Sequence, residues 1–421
     1  MARDCFLDAE LHVFFFGLTA IIMGSNDFVM KILITCQHYW PENFRITEIA
    51  EELVKQGHDV TVLTGLPNYP TGRIDPEYRR KKNRTQIHNG VKILRAALIG
   101  RRQNLLFRLL NYYSFPFFAN RLVRRLNEHF DVVLINELSP IMASRPGIKY
   151  AKKHHVRCVM YEMDLWPHNL LAGGIAEGSF VFNHYKKVSA KIYSSCDEIL
   201  VSSQEHRGAI HSLPGCENVP IHYLPQCAES LFEESKFETL DNGVLDLVFA
   251  GNIGFAQNCE TILQTAALLK DDPRFLFHFV GDGSDLPHIR RIAESHDLKN
   301  VVFHGRQPLP KMLEYYALAD AMLVSLEDKP YARMTIPGKV QSYIASGKPI
   351  VGAISGATAN LIQESGAGWC VEAGDSQKLA ELLRSIDAES LALRGKKGRE
   401  YYLSHMKKAD FVAKLIDSLQ K

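Results

Sequence analysis

Short apolar runs alternate with amphipathic stretches along two successive parts of the chain. The stretch 45–56, for example, places Ile46, Ile49 and Leu53 on one face at helical spacing. Apolar runs with helical patterns between them are typical of parallel strands in a doubly wound α/β sheet. The pattern predicts strands at 30–36, 60–64, 132–135, 156–161 and 198–202 in the first part, and at 245–250, 275–280, 301–304, 321–325 and 349–351 in the second.

The alternation weakens between 226 and 243, where an acidic run and Gly243 indicate a linker. We therefore expect an N-terminal domain over 30–225, a C-terminal domain over 244–402 and a last amphipathic helix within 403–421. Two doubly wound sheets in series present the loops after their strands to a common cleft, where ligands of open α/β sheets bind. The second part is predicted to hold helices at about 258–270, 285–296, 308–318, 337–346 and 407–420.

Residues 1–29 differ in pattern from the rest of the chain. The apolar run 11–23 is shorter than the roughly 20 residues that a bilayer span needs, and the charges before it include three acidic residues, unlike a secretory signal. We interpret 1–29 as an extension outside the fold. An anchor that dips into a membrane is the alternative.

Positive charge is concentrated in one region. Thirteen of the 49 Lys and Arg residues lie within 79–125, which contains none of the 47 Asp and Glu residues. Part of this region belongs to a basic amphipathic segment, 103–129, which Pro116 is expected to interrupt. Such a segment favours an anionic membrane surface. Nucleic acid is not expected, because no recognition motif accompanies the charge, and an ordinary basic surface over a core helix is the remaining alternative. Its interleaved apolar residues are Phe107, Leu109, Leu110, Phe115, Phe117 and Phe118.

The remaining composition narrows the class of protein. Hydrophobic residues make up 46% of the chain and charged residues 23%, as in soluble globular proteins. The eight cysteines are scattered without a C-x-x-C pair, which favours a reducing cytosol over a zinc site or a disulfide framework. We expect a cytoplasmic protein that is peripheral on the inner face of the membrane and uses no metal or cofactor.

The segment 335–349 predicts a short helix with an anion-binding start. Pro337 suits the first helical position, and Gly347 marks the end. Lys339 stands in the first turn, where a cation opposes the helix dipole. A bound diphosphate would remove that conflict, since helix N-termini hold phosphate groups. A lysine that points into water is the alternative.

Glycines follow several strands of the second part. Gly251 and Gly254 directly follow one strand, and Gly281 and Gly283 follow the next. Small residues allow a backbone to approach a phosphate or a sugar closely. Together with Gly305, Arg306 and a base-sized slot near Phe303 and His304, they predict a nucleotide-diphosphate pocket. A G-x-G-x-x-G sequence is absent, which argues against a dinucleotide enzyme.

Polar and aromatic residues follow two strands of the first part. The loop 37–45 carries more functional groups than a turn needs, although Asn43 could simply cap the next helix. The second loop, 162–167, contains Asp164, which could accept a proton or stabilise a developing cation. A cap before Pro167 is the alternative for Asp164.

At these residues the chain resembles the retaining glycosyltransferases of family 4, which have the GT-B fold, and within them the WbuB subgroup of L-fucosamine transferases. The resemblance covers about 30–421. It rests on WPENFR at 40–45, TGLPNYP at 64–70, DLWP at 164–167, AGNIG at 250–254, and IPGK at 336–339 through GKP at 347–349.

The resemblance implies that the N-terminal domain binds the acceptor, that the C-terminal domain binds a nucleotide sugar, and that the last helix crosses back. It implies transfer, with retained configuration, from a UDP-sugar (the favoured donor) to a lipid-linked saccharide of cell-surface polysaccharide. The expected catalytic residues are Asp164 and Lys339. The expected donor-binding residues are Gly251, Asn252, Gly254, Gln257, Gly281, Gly283, Gly305, Arg306, Pro337, Lys339, Gln341 and Ser342. The expected acceptor and reaction-centre residues are Glu42, Asn43, Phe44, Arg45 and Trp166.

The sequence departs from the family at one place. Many members carry two glutamates eight positions apart, the second lying five before the glycine that closes the helix. Here Met334 and Ser342 stand at those positions. This departure supports a non-catalytic subunit of a polysaccharide assembly complex as one alternative. A nucleotide-sugar epimerase, which the same two-domain fold supports, is the other.

Overall fold

The computed structural model describes residues 29–101, 105–237 and 243–421. The interpretation of 1–29 as an extension falls, apart from Val29, outside the described residues. The start of the basic segment and part of the predicted linker also lie outside them.

The first part of the alternating pattern forms an eight-stranded sheet. Its strands are β1 (Lys31–Thr35), β2 (Asp59–Thr64), β3 (Thr85–His88), β4 (Val91–Arg95), β5 (Val132–Glu137), β6 (Arg157–Glu162), β7 (Glu198–Val201) and β8 (Ile221–Tyr223). They lie in the order β3-β4-β2-β1-β5-β6-β7-β8. All neighbours are parallel except β3 and β4, which form an antiparallel edge pair that the pattern did not predict.

The second part forms a six-stranded sheet in which all neighbours are parallel. Its strands are β9 (Leu245–Ala250), β10 (Phe275–Val280), β11 (Val301–Gly305), β12 (Ala321–Ser325), β13 (Ile350–Ala353) and β14 (Gly368–Val371). They lie in the order β11-β10-β9-β12-β13-β14. Five of the six were predicted. Since parallel strands end at one edge of a sheet, the glycine-marked loops after β9, β10 and β11 lie together.

Helices cover both faces of each sheet, which explains why the central strands read as continuous apolar runs. The α-helices are α1 (Ile46–Lys55), α2 (Leu105–Arg125), α3 (Arg145–His154), α4 (Phe180–Tyr193), α5 (Glu205–His211), α6 (Ser230–Glu234), α7 (Cys259–Leu268), α8 (Leu286–Ser295), α9 (Met312–Leu318), α10 (Pro330–Met334), α11 (Gly338–Ser346), α12 (Ala357–Glu364), α13 (Ser376–Ser385), α14 (Ala388–His405) and α15 (Lys408–Gln420).

The last helix returns to the first sheet. Phe411, Val412 and Leu415 of α15 pack into the same buried cluster as Ile46 and Ile49 of α1. The expected architecture is thereby confirmed: two α/β domains with parallel sheets and a C-terminal helix that crosses back. The domain bounds themselves stay a prediction.

Pro116 does not interrupt α2, contrary to the prediction. The helix runs through it from Leu105 to Arg125. A proline inside a helix costs about 3 kcal/mol. Phe115, Ala119 and Val123 are fully buried on the same helix, and one large apolar side chain contributes about 1.5–3 kcal/mol on burial. Packing therefore outweighs the proline.

Helix α11, predicted at 337–346, begins one residue later than predicted. Pro337 is the N-cap of α11 and has an extended backbone, so Gly338 takes the first helical position. Gly347 closes the helix with φ +71°, as expected.

Within the described ranges, no helix is both long enough and apolar enough to cross a bilayer.

Candidate active site

A cavity of about 750 Å³ lies between the carboxyl ends of the two sets of strands. Its size suits a small-molecule ligand. Both sheets contribute to its walls, so the predicted loops come together. The cavity is lined by twelve of the predicted site residues, namely Asn43, Phe44, Arg45, Asp164, Gly251, Asn252, Gly281, Gly283, Arg306, Pro337, Lys339 and Ser342.

Lys339 does not point freely into water. Its Nζ donates to Gln257 Oε1 at 2.8 Å and lies 3.7 Å from the centre of the Phe249 ring. Burial lowers the pKa of Lys339 to about 8. These contacts hold the ammonium group beside the start of α11, where it is only lightly compensated. An anion entering the cavity would therefore meet a cation that needs a partner.

The loops after β9 and β10 approach this lysine through glycine backbone. Gly251 has φ +133°, and a Cβ there would lie 3.2 Å from Lys339 Cε. Gly281 has φ +154°, and its Cβ would meet the Gly251 carbonyl oxygen at 1.8 Å. A side chain is excluded at Gly281, and at Gly251 it would strain the backbone and press against Lys339. A glycine is thus required at position 281 because the two loops pack closely against each other. Both loops border the cavity.

Four predicted donor residues do not line the cavity. Gln257 accepts the hydrogen bond from Lys339, and Gly254 is buried behind Asn252. Gly305 accepts from the Gly281 amide at 2.9 Å through its carbonyl oxygen. Gln341 is buried, and its amide as a donor faces the carbonyl oxygens of Pro337 and Gly338 at 3.0 and 2.9 Å.

The expected slot near Phe303 and His304 does not face the cavity. Phe303 stacks on Phe279 with ring centres 5.2 Å apart, and His304 pairs with His278 at 2.9 Å. The cavity wall next to Arg306 is instead made by Gln307, Leu309, Met312 and Tyr316. The signal for the last two was available in the sequence, because they are four positions apart on a predicted helix and share one face.

The first-sheet side of the cavity is built from long-range side-chain contacts. Phe44 stacks on His38 at 5.0 Å and meets Tyr69 edge-on at 5.4 Å. Arg45 is the N-cap residue of α1, and no side chain caps that helix, so Asn43 is not its cap.

Glu42 and Trp166 support this wall and do not line it. Glu42 is buried, and its Oε1 accepts the backbone amides of Asn68 and Tyr69 at 2.6 and 2.5 Å. Trp166 is buried, and its Nε1 donates to Ser139 Oγ at 3.0 Å. Their predicted contact with the acceptor stays a prediction. In this geometry their hydrogen bonds hold the loops of the cavity wall in place.

Asp164 faces the cavity in front of two buried carboxylates. Its Oδ2 accepts the Ser139 amide at 2.7 Å, so it does not cap the helix that follows Pro167. Behind it, Glu137 Oε2 accepts the Asp164 amide at 3.2 Å. Burial, together with the nearby Asp164 and Glu162, raises the pKa of Glu137 well above its ordinary value. Glu162 is ion-paired to His206 at 2.7 Å.

Two cavity residues fall in the segment that the sequence pattern indicated as a linker. Gln226 and Glu229 line the cavity, and both contact Arg45. No periodic or glycine signal marked them, since their position depends on how the two sheets face each other. The cavity wall thus carries the basic side chains of Arg45, Arg306 and Lys339 together with the carboxyl groups of Asp164, Glu229 and Asp282.

Two doubly wound sheets facing across a polar cleft, with the last helix packed on the first sheet, define the GT-B class. The profile described as "Glycosyltransferase Family 4" matches residues 43–228. The profile described as "Glycosyl transferases group 1" matches residues 245–387. Apart from β1, the strands of each sheet therefore lie in a part of the chain that matches a glycosyltransferase profile.

Two named relatives agree with this assignment. WbjE of Pseudomonas aeruginosa, whose name describes a glycosyltransferase, is 26% identical over 58% of this chain and 63% of its own length. WcaI of Escherichia coli strain K12, whose name describes a glycosyl transferase of colanic acid biosynthesis, is 26% identical over 76% of this chain and 82% of its own.

Solved structures share the fold. The sucrose-phosphate synthase of Thermosynechococcus elongatus superposes with a TM-score of 0.72 at 15% identity, over 92% of this chain and 98% of its own. HepE of Anabaena, solved with UDP and glucose, gives a TM-score of 0.68 at 13% identity, over 93% of this chain and 100% of its own.

Proposed function

We propose that the protein is a retaining glycosyltransferase that moves a sugar from a nucleoside-diphosphate donor to a saccharide acceptor of cell-surface polysaccharide. The single observation that carries the proposal is the cleft, which brings Lys339 and the start of α11 opposite Asp164. The name of WcaI supports the polysaccharide context. The UDP bound to HepE supports UDP as the favoured base, and the WbuB resemblance favours an amino-deoxy sugar such as N-acetyl-L-fucosamine.

On the donor side, Lys339 and the first turn of α11 would hold the diphosphate. The amides of that turn have no partners within the helix and carry the positive end of its dipole. Arg306 adds a second charge from the loop after β11. Because these groups are fixed before the reaction, they would stabilise the charge that develops on the leaving diphosphate. We expect that they make a divalent metal unnecessary, so EDTA should leave the transferase activity intact.

On the acceptor side, Asp164 would face the anomeric carbon. The bond from that carbon to the diphosphate oxygen breaks, and the acceptor oxygen bonds to the same face. The acceptor proton passes to the departing diphosphate, and no enzyme nucleophile is needed. Asp164 would stabilise the oxocarbenium-like transition state. Asp164→Asn should therefore lower kcat about 10²-fold with an unchanged Kd for UDP, whereas a weaker Kd at unchanged kcat would remove Asp164 from the reaction centre.

The acceptor is proposed to be lipid-linked, because α2 has an apolar, basic outer surface. Leu109, Leu110, Tyr113 and Phe117 are exposed on α2, and the exposed Arg residues of its second half flank them. Phe180 of α4 is 88% exposed. The two helices are joined by a 2.6 Å hydrogen bond between the Tyr113 and Tyr185 hydroxyls. An apolar face bordered by positive charge suits an anionic bilayer.

The structure also narrows the predicted membrane surface. Phe115 is fully buried, so it belongs to the core and not to the exposed face. Arg95 is buried as well, and it donates to the Trp40 carbonyl oxygen at 2.6 Å. The proposed surface therefore consists of the exposed face of α2 and the start of α4. It leaves out the buried residues of the basic region 79–125.

The donor proposal is tested by thermal shift with UDP, GDP and TDP. We expect one nucleotide to stabilise the protein and Lys339→Ala to remove the shift. Transfer from the corresponding sugar nucleotide to a membrane extract would then be measured. Conversion of the free sugar nucleotide without transfer would favour an epimerase, and no shift with any nucleotide would favour a non-catalytic subunit.

The membrane proposal is tested by sedimentation with vesicles that contain phosphatidylglycerol. Phe117→Ser combined with Arg121→Glu should lower the bound fraction at least tenfold. The matched control is Leu268→Ser with Lys270→Glu, since Leu268 is exposed at the end of α7 and Lys270 is exposed in the turn that follows. Equal loss in the two double variants would contradict a docking surface on α2.

A further inference from the structure

Glu229 places a carboxylate in the cavity wall beside α11. Its Oε2 accepts from Arg45 Nη2 at 3.0 Å and from Ser342 Oγ at 2.6 Å. Burial by itself would raise the pKa of Glu229, but Arg45 and the Ser342 hydroxyl outweigh burial and hold that pKa below its ordinary value. Glu229 is therefore ionised at neutral pH, although it is half-buried in the cavity wall.

The position of Glu229 relative to Lys339 is fixed by the helix. Ser342 follows Lys339 by three positions, so the two side chains share one face of α11, and one helical turn advances 5.4 Å. In a nucleoside diphosphate the ribose is bonded directly to the diphosphate. A diphosphate at Lys339 therefore brings the ribose within about one turn of the helix, next to Ser342 and Glu229. Helix α11 itself, GKVQSYIAS, contains no acidic residue.

We propose that Glu229 accepts hydrogen bonds from the ribose hydroxyls of the donor nucleotide and so selects ribonucleotides over deoxyribonucleotides. The inference rests on the proposed donor site at Lys339. A carboxylate offers about four acceptor positions, and the contacts with Arg45 and Ser342 use two of them. The 2′ and 3′ hydroxyls supply two neighbouring donors, and hydrogen bonds to an ionised acceptor are the strong ones.

Arg45 is the positioning residue for this carboxylate. Besides Glu229, its Nη2 contacts the Gly338 carbonyl oxygen and Ser342 Oγ, both at 2.7 Å. Its planar group therefore spans from the first-sheet side of the cleft to the first turn of α11. A lysine offers no such fork. Ribose binding at Glu229 would thus depend on both sides of the cleft being held together.

Asp282 is the best comparison among the other cavity carboxylates. It lies in the loop after β10, is exposed, and its Oδ1 accepts the Gly283 amide at 2.8 Å. It contacts neither α11 nor Arg45 through a hydrogen bond among the described residues. Asp282→Asn therefore removes a charge from the same cavity without removing the carboxylate beside Ser342.

The experiment measures Kd by calorimetry for UDP, for 2′,3′-dideoxy-UDP and for inorganic pyrophosphate, with the guanine pair used if GDP gives the larger thermal shift. The native protein should bind the ribonucleotide about 10- to 100-fold more tightly than its dideoxy form. Glu229→Gln should reduce that ratio to below about threefold, with pyrophosphate binding unchanged. Asp282→Asn should keep the full ratio. Arg45→Ala should lower the ratio partly, because the carboxylate remains but is no longer held.

Each variant serves as its own reference, so a loss of stability in Glu229→Gln does not affect the ratio of two ligands on the same protein. A Glu229→Gln protein that keeps the full ribose preference would overturn the inference. That outcome differs from failure of the donor proposal, in which no nucleotide and no pyrophosphate would bind the native protein. A native ratio near one would also overturn it, since the ribose hydroxyls would then have no specific partner.

Discussion

The two sides of the cleft differ in which part of the chain faces the cavity, the backbone or the side chains. Around Lys339, the second-sheet side presents backbone, namely the loops at Gly251 and Gly281 and the start of α11. The first-sheet side consists of side chains held by partners far away in sequence, such as Asp164 on the Ser139 amide. A site made of backbone is specified by local sequence, whereas a site made of side chains is specified by the tertiary fold.

The difference extends to how each side tolerates change. A backbone site fails when a side chain is added, because a Cβ at Gly281 would lie 1.8 Å from the Gly251 carbonyl oxygen. A side-chain site fails when a side chain is removed, because a buried partner then loses its hydrogen bond. Variants that separate binding, turnover and stability can therefore test whether the two sides are as distinct as the contacts indicate.

The largest effect is expected from Lys339→Ala. Removing the charge from the diphosphate position should lower kcat/KM about 10²- to 10³-fold. The melting temperature should change by no more than about 3 °C, since the lost contact with Phe249 is worth only about 1 kcal/mol. Lys311→Ala, at an exposed position just before α9, is the matched control and should keep full activity. Activity within threefold of the native protein would show that the backbone alone holds the donor.

A smaller effect, on stability, is expected from Glu42→Ala on the other side. Two buried amides, at Asn68 and Tyr69, would lose their acceptor, which should lower the free energy of unfolding by about 2–4 kcal/mol. Kd for UDP should stay within twofold. Glu42→Gln keeps an acceptor oxygen and should lose less. Unchanged urea unfolding together with lost acceptor use would instead place Glu42 in direct contact with the acceptor.

Sequence reasoning succeeded where local pattern decides the structure. Strand β10 and helix α11 were predicted to within a residue or two, because apolar runs and glycine stops are local signals. It missed the antiparallel pair β3 and β4 and expected a break at Pro116, where packing of the helix overrides local preference. Glu229 could not be found at all, since only the approach of Arg45 from the other sheet gives its position meaning.

Raising the pH is expected to weaken the binding of the nucleotide. The pKa of Lys339 in the free protein is lowered to about 8, and a bound diphosphate would raise it. Nucleotide affinity should therefore be constant just below pH 8 and weaken above it, by up to about tenfold per pH unit. Calorimetry with UDP from pH 7 to 9.5 measures this slope, with Lys339→Met as the control that should lack it. The same slope in the methionine variant would assign the titration to another group.

The smallest effect on activity is expected from Glu137→Gln, behind Asp164. Burial, Asp164 and Glu162 raise the pKa of Glu137 well above its ordinary value. We therefore expect the native carboxyl to keep its proton in the folded protein, where a glutamine would closely replace it. At neutral pH, kcat should change by no more than about twofold.

Stability should nevertheless separate Glu137→Gln from the native protein. A raised folded-state pKa gives stability that is complete below the unfolded pKa, about 4.3, and is lost as pH rises through the folded value. From about pH 4.5 upward, the native protein should lose stability relative to the variant by up to about 1.4 kcal/mol per pH unit until Glu137 ionises. Urea unfolding of both proteins from pH 4.5 to 8 measures this difference. A pH-independent difference would mean that Glu137 is ionised throughout this range. The pKa of Glu137 would then not be raised, contrary to the prediction.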